Sequence, residues 1–407
     1  MRRFCQLVLT LALTICLCLT TSISQGYASN EKPTGLTAQG AVLIDMQTGQ
    51  VLFDQNKDAK LYPASITKII TCILALEKGK LTDMVKTSQL AREQEGNRVY
   101  LETGEEEPLE MMLYGLMLNS GNDAAVAIAE YLGGSVENFA KMMNEKSAEL
   151  GAKNTHFVTP NGLHDDNHYT TPYDMALIAN YAMKNAKFRE IVATEHYAWH
   201  GKEWQTELYN LNPMLWNYEG ATGVKTGFTD QALQTMVASA KRGDREVMAV
   251  VMGVQDKPTV RMETTALLDY GFDAFTNVLI ASEGDAPATF SVHSGEVKAR
   301  LKEDVYLTVP VGQSPPIERK VTLHVPEAPF PQGAKVGTVE FQSNGQTVAS
   351  APLFSASDVA PPPPPAVTAV KDSKNWLFAG IGLLLAGMFV FRIKKRRVQQ
   401  RQQSLEW

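Results

Sequence analysis

Only four cysteines occur in the 407 residues, and three of them, Cys5, Cys16 and Cys18, stand at the very start of the chain. A disulfide framework is thereby excluded, because the rest of the chain keeps a single thiol. That thiol, Cys72, lies in an apolar helical run, where a lone cysteine reads as packing and not as a nucleophile. No internal repeat is present, which excludes a solenoid or propeller. Histidine is sparse, seven in all, and the cluster His164, Asp165, Asp166 and His168 has spacing that can bind zinc. No third ligand set with an activating Glu accompanies it, so neither a metal nor another cofactor is expected.

Both ends of the chain carry signals of their own. Arg2 and Arg3, an apolar run from Leu7 to Leu19 and the small residues around Gly26-Tyr27-Ala28 read as an export signal over residues 1–28, with Ser29 first in the mature chain. Trp376 to Phe391 contains no charge, and its flanks extend it to about the lower limit of a bilayer span, roughly 17 residues. It is apolar on every face, so residues 375–393 are expected to form a single-pass transmembrane anchor. Arg392, Lys394, Lys395, Arg396, Arg397 and Arg401 mark 394–407 as a basic cytoplasmic tail, which places the body outside the cytoplasmic membrane. Eight of the 38 basic residues lie in these ends, against one of the 44 acidic residues, leaving the body near −13. Such a balance argues against nucleic acid or anionic lipid as the main partner of the body.

Between the ends, Ala41 to Met46 and Val51 to Asp54 around a Gln-Thr-Gly-Gln turn predict a hairpin. Ser65 to Lys78 is apolar nearly all round and predicts a buried helix. Leu109 to Leu118, Asp123 to Leu132 and Val136 to Leu150 predict further helices, with Met111, Met112 and Met117 in the core and the acidic run Glu105 to Glu107 as a solvated helix start. Strand character returns at Gly223 to Thr226, Thr235 to Ala240 and Glu246 to Val254, followed by a helix from about Thr259. Early and late strands flanking a helical insertion predict an α/β domain, an antiparallel sheet with packed helices and a helical subdomain, over residues 29–285. Short alternating runs broken by Pro and Gly predict a small all-β domain over 286–356. A Pro-rich linker over 357–374, with Pro361 to Pro365 as a stiff spacer, follows.

Three short motifs occur in one order: Ser65-Ile-Thr-Lys68, Ser120-Gly-Asn122 and Lys225-Thr-Gly227. Each is weak alone, and Ser373 to Asn375 repeats the second in a place that suits no active site. A serine hydroxyl needs a base to become a nucleophile, and a lysine three residues on along a helix shares its face. The start of that helix stabilises negative charge at the serine. Lys68 must be neutral to act as a base, which burial and a second cation such as Lys225 would favour. Ser120 falls between two helices, where its hydroxyl can relay a proton. Asn122 suits either a substrate carbonyl or the lysine head groups. Lys225 and Thr226 at a strand end can hold a carboxylate beside an extended peptide, with Gly227 allowing close approach.

The motifs together, with Tyr62-Pro-Ala-Ser-Ile-Thr-Lys68, Asn119 to Ala125, Thr159-Pro-Asn-Gly-Leu163, His168 to Asp174 and Gly223 to Thr229, resemble the D-alanyl-D-alanine carboxypeptidases, low-molecular-mass penicillin-binding serine peptidases. The resemblance spans about residues 35 to 280 and, more loosely, the β domain. It implies an acyl-enzyme on Ser65, Lys68 as proton acceptor, assistance from Ser120 and substrate binding by Lys225. It also implies an oxyanion hole from the Ser65 and Phe228 N–H groups, with Arg261 as the substrate-carboxylate arginine. The implied substrate is the peptidoglycan pentapeptide, with β-lactams as covalent inhibitors. D,D-endopeptidase or transpeptidase activity, or a weakly catalytic scaffold, are the alternatives on the same fold. One departure stands out: Leu233 follows Ala232 where such enzymes usually have glycine.

Overall fold

The computed structural model describes residues 31–362 and 374–403, with side chains of 380–398 described in the second stretch. The expected export signal and most of the proline spacer lie outside the described residues. Five strands form one antiparallel sheet in the order Val51–Gln55, Gly40–Asp45, Arg245–Val254, Leu233–Arg242, Ala221–Thr229. Each strand sends alternate side chains to opposite faces. Along Arg245–Val254, Val247, Ala249 and Val251 therefore pack with Val260, Leu267 and Leu268 of the helix Lys257–Ala274. Met248, Val250 and Met252 join the larger core on the other face. Because both faces are covered, these strands read as continuous apolar runs.

The larger core is built around the helix Lys68–Lys78, whose residues from Lys68 to Ala75 are all buried. The helices Leu109–Met117, Asn122–Gly133 and Val136–Glu149 enclose it on the side away from the sheet. Met112 and Met117 are core and Met111 packs against it. The acidic run departs from the sequence reading: Glu106–Pro108 is a short strand paired with Met84–Lys86, and Glu105 is fully buried. Its carboxylate accepts the N–H groups of Glu102 at 2.7 Å and Lys202 at 2.8 Å. It thereby ties the ribbon His196–His200/Gln205–Tyr209 to the helical unit.

The second unit is a five-stranded antiparallel sheet around Phe290, Val339, Phe341 and Leu353, so an α/β transpeptidase-like domain is followed by an all-β one. The strand Phe275–Ala281, which the sequence reading placed in the first domain, pairs with Val305–Pro310, and Ala281 enters the second core. It leaves directly from the helix Lys257–Ala274. The two units are stitched by the hairpin turn of the first. The Thr48 and Thr308 hydroxyls lie 2.7 Å apart, Gln50 exchanges two hydrogen bonds with the Thr308 backbone, and Asn277 donates to Gln47. Arg245 adds a bond to the Phe275 carbonyl at 2.6 Å.

The final helix, Lys374–Gln403, runs without a break through the apolar stretch and the basic residues after it. Among the described residues no helix is long and apolar enough to cross a membrane.

Candidate active site

Ser65 sits in a single 3-10 turn, Ala64–Thr67, and the α-helix begins at Lys68, so the nucleophile precedes the helix instead of opening it. The turn still puts both side chains on one face: Lys68 Nζ lies 3.0 Å from Ser65 Oγ. Two further acceptors converge on that nitrogen, Asn122 Oδ1 and the carbonyl of Asn161, each at 2.7 Å. Asn122 is oriented by its own amide, whose Nδ2 donates to the Glu95 carbonyl at 2.6 Å, leaving Oδ1 turned to the lysine.

Lys68 is completely buried. Desolvation, and then the charge of Lys225, hold its amine well below the ordinary lysine value, with the buried Asp123 opposing them. Asp123 itself accepts backbone N–H bonds from Val99, Leu101 and Ala124, so it is committed to the cleft wall. Lys225 is also buried, and desolvation lowers it to about 7. The sequence reading put Lys225-Thr-Gly227 at a strand end. The structure places it inside Ala221–Thr229, which is nevertheless the edge strand of the sheet.

Two glycines are required by close approach. A Cβ on Gly227 would lie 2.7 Å from the Ser65 nitrogen and 2.6 Å from Thr235 Oγ1, so only glycine lets this strand lie against the nucleophile turn. A Cβ on Gly162 would lie 1.9 Å from the Ala64 carbonyl oxygen, and this glycine has φ +82°. The loop carrying Asn161 is thus pressed onto the same turn from the other side. His168 fixes that loop. Its Nδ1 accepts from the N–H groups of Val158 and Thr159 at 3.0 and 3.2 Å, which leaves Nε2–H to donate to Thr67 Oγ1 at 2.9 Å. Burial lowers its pKa to about 3, so the ring is neutral.

Among the described residues six non-glycines have positive φ. Two are asparagines, which tolerate it. The other four, Ala64, Tyr100, Ser120 and Leu233, belong to segments that form the cleft walls, where backbone strain is retained for geometry and not for stability. Leu233, at φ +58°, holds a conformation that favours glycine.

A cleft of about 540 Å³ opens above Ser65, lined by Ser120, Asn122, Thr226, Phe228 and Arg261. Lys68 and Lys225 lie beneath its floor. Ser120 is nearly buried and its hydroxyl has no hydrogen-bond partner among the described residues; Arg261 makes no ion pair among them. All eight sequence-selected residues therefore gather at one place. The sequence reading missed the Asn161 carbonyl, because a backbone acceptor has no side-chain signature. It also missed Lys257 and the loop Asn210 to Pro213, which line or flank the cleft without belonging to a motif. His164, Asp165 and Asp166, which with His168 suggested a metal cluster, do not converge: among the described residues no group of three potential ligands does.

Comparison with known proteins agrees with this geometry. A family profile described as D-alanyl-D-alanine carboxypeptidase matches residues 27–256, and one described as the C-terminal domain of penicillin-binding protein 5 matches 275–361. D-alanyl-D-alanine carboxypeptidase DacF of Bacillus subtilis is 34% identical over 79% of this chain and 86% of its own. DacA of Escherichia coli is 34% identical over 86% and 92%. The crystal structure of penicillin binding protein 5 from Haemophilus influenzae superposes with a TM-score of 0.69 at 31% identity, covering 81% of this chain and 99% of that one.

Proposed function

This chain belongs to the D-alanyl-D-alanine carboxypeptidase family, and we propose that it removes the terminal D-alanine of peptidoglycan stem peptides through an acyl-enzyme on Ser65. The carrying observation is the set of three contacts around Lys68 Nζ. A neutral amine has two hydrogens and one lone pair. The two 2.7 Å acceptors take the hydrogens, so the lone pair is left facing the Ser65 hydroxyl, which is the geometry of a general base. Protonated Lys68 would instead donate to all three oxygens and leave the serine inert.

The steps follow from the cleft. Lys225, Thr226 and Arg261 receive the substrate carboxylate. Lys68 takes the Ser65 proton as Oγ attacks the penultimate D-alanine carbonyl, whose oxygen is held by the N–H groups of Ser65 and Phe228. Ser120, with its uncommitted hydroxyl, passes a proton to the departing D-alanine nitrogen. Water then hydrolyses the acyl-enzyme with Lys68 again as base. Removal of the last D-alanine limits cross-linking. Labelling with fluorescent penicillin and release of D-alanine from a pentapeptide test this reading. Persistent labelling of Ser65→Ala, or intact pentapeptide after incubation with wild type, would overturn it.

We also infer that residues 1–28 are an export signal and that the apolar run before the basic tail anchors the enzyme in the membrane as a single span. Leu383, Leu384, Phe389 and Phe391 are exposed on this helix, and Arg392 to Arg397 follow. Membrane fractionation separates the outcomes: retention through alkaline carbonate supports a span, whereas release points to a helix lying on the surface.

A further inference from the structure

Tyr100 holds a left-handed backbone, φ +58°, which an aromatic residue adopts only when its surroundings impose it. What imposes it here is Asp123. Its buried carboxylate accepts the N–H groups on either side, Val99 at 3.1 Å and Leu101 at 3.2 Å, so the chain is pinched and Tyr100 is left 39% exposed. A second buried carboxylate fixes the neighbouring ring. Glu105 grips the Lys202 N–H, and Arg92 pairs with Glu203, which together hold the turn that carries Trp204. The two rings meet edge to face, with 5.2 Å between centroids and 79° between planes, and the Arg98 guanidinium lies 5.0 Å from the Tyr100 centroid. The Tyr100 hydroxyl and the Trp204 indole N–H make no hydrogen bond among the described residues. Among them the Arg98 guanidinium makes one, to the Arg92 carbonyl at 3.4 Å.

An aromatic corner with unspent donors, built on two buried carboxylates and a strained backbone, is more than packing requires. Sugar rings match it. Their C–H faces pack on aromatic rings, and their hydroxyl and acetamido oxygens take the free O–H and N–H donors. The position fits as well. Asn97, three residues before Tyr100, lines the cleft, so the corner is joined to the rim by about 10 Å of chain at most. A pentapeptide cut before its last residue keeps four residues between the cut and the glycan, about 13 Å when extended. The corner belongs to the wall that carries Asn122, whose N–H bonds the Asn97 carbonyl at 2.7 Å, and not to the strand Ala221–Thr229. Resting on the carboxypeptidase reading, we propose that Tyr100, Trp204 and Arg98 form a second binding site, outside the cleft, for the N-acetylated glycan of the polymer whose stem peptide enters the cleft.

The test uses the full chain in detergent and one pentapeptide, either bare or attached to its N-acetylglucosaminyl-N-acetylmuramoyl disaccharide. Wild type is expected to release D-alanine from the glycan-bearing form with about three- to tenfold higher kcat/KM. The gain should lie in KM and not in kcat, because a remote contact binds substrate and transition state alike. Tyr100→Asn removes the ring with a residue that tolerates the left-handed backbone, and Trp204→Leu keeps apolar bulk against the core on which Trp204 packs. Each should bring the ratio of the two substrates towards one. The ratio is taken within one variant, so a general loss of activity cancels. An unchanged ratio in both variants overturns the proposal, as does equal use of the two substrates by wild type. A second arm needs no turnover: calorimetry with the peptide-free tetrasaccharide should show saturable binding to wild type that both variants lose. Binding of the tetrasaccharide without D-alanine release from either substrate would fell the carboxypeptidase reading and leave the sugar site standing. Release with neither binding nor preference would fell the sugar site alone.

Discussion

Replacing Lys225 by Met tests whether the floor of the cleft desolvates a second amine beside Lys68. Lys225 is fully desolvated, and the drop from the ordinary value of 10.5 to about 7 corresponds to roughly 5 kcal/mol at about 1.4 kcal/mol per pH unit. The folded value lies below the unfolded one, so between pH 10.5 and 7 the unfolded chain binds the extra proton. Native stability therefore falls as pH drops through that window and levels off below it. Methionine fills similar space with no charge to desolvate. Lys225→Met should gain almost nothing near pH 10 and at most about 5 kcal/mol at pH 6, or at most roughly 10–20 °C in the melting of the catalytic domain. The same variant removes the cation that helps keep Lys68 neutral, so the acidic limb of penicillin acylation should move to higher pH. Melting curves at pH 6, 8 and 10 with acylation rates at each pH provide the assay. A stability change that is the same at pH 6 and pH 10 would refute the reasoning, because only a titrating buried amine gives that slope.

Asn122→Asp puts a carboxylate where Oδ1 now accepts from Lys68, stabilising the ammonium; acylation at neutral pH should slow by at least ~10², with partial recovery at higher pH. For His168, lowered to about 3, stability should fall by about 1.4 kcal/mol per unit as pH drops from 6.5 towards that value, because the unfolded ring binds a proton that the folded ring refuses. Denaturant unfolding between pH 7 and 4 reads this slope, which His168→Asn should abolish. Amidating the substrate C-terminus removes the charge received by Lys225 and Arg261 and should lower kcat/KM roughly ten- to a hundredfold, a hydrogen bond to a charged group contributing ~1.5–3 kcal/mol. Equal cleavage of acid and amide would favour an endopeptidase. A chain ending at Ala360 should be soluble with unchanged turnover on a small peptide, as sedimentation and D-alanine release will show.

The central helix and sheet were legible because they are buried on all sides: Ile66 to Leu74 and Val247 to Val254 have no solvent face to interrupt their apolar runs. The nucleophile and its base were legible because their chemistry fixes their spacing. Glu105 was not. Three adjacent acids look like a solvated surface, and what buries Glu105 is an N–H group on Lys202, nearly a hundred residues away. The Phe275–Ala281 strand was hidden for a related reason, since its partner, Val305–Pro310, lies beyond the change of pattern that marked the boundary. The 3-10 turn at Ser65 escaped notice because it is imposed from both sides, by Gly227 and Gly162, and not by its own residues.

The continuous passage from the helix Lys257–Ala274 into the strand Phe275–Ala281 has a mechanical consequence. From Arg261 to Ala274 the helix is a rod of about 20 Å at 1.5 Å per residue. Its far end is bolted by Arg245 to the carbonyls of Gly271 and Phe275, and the adjoining strand is riveted to the hairpin turn at Gln47. The helix and the strand join without an intervening loop, so load applied to the β domain is passed towards the cleft wall through the helix itself. Under the membrane anchoring proposed above, lengthening the proline run that follows the β domain would shift the working plane without retuning the site.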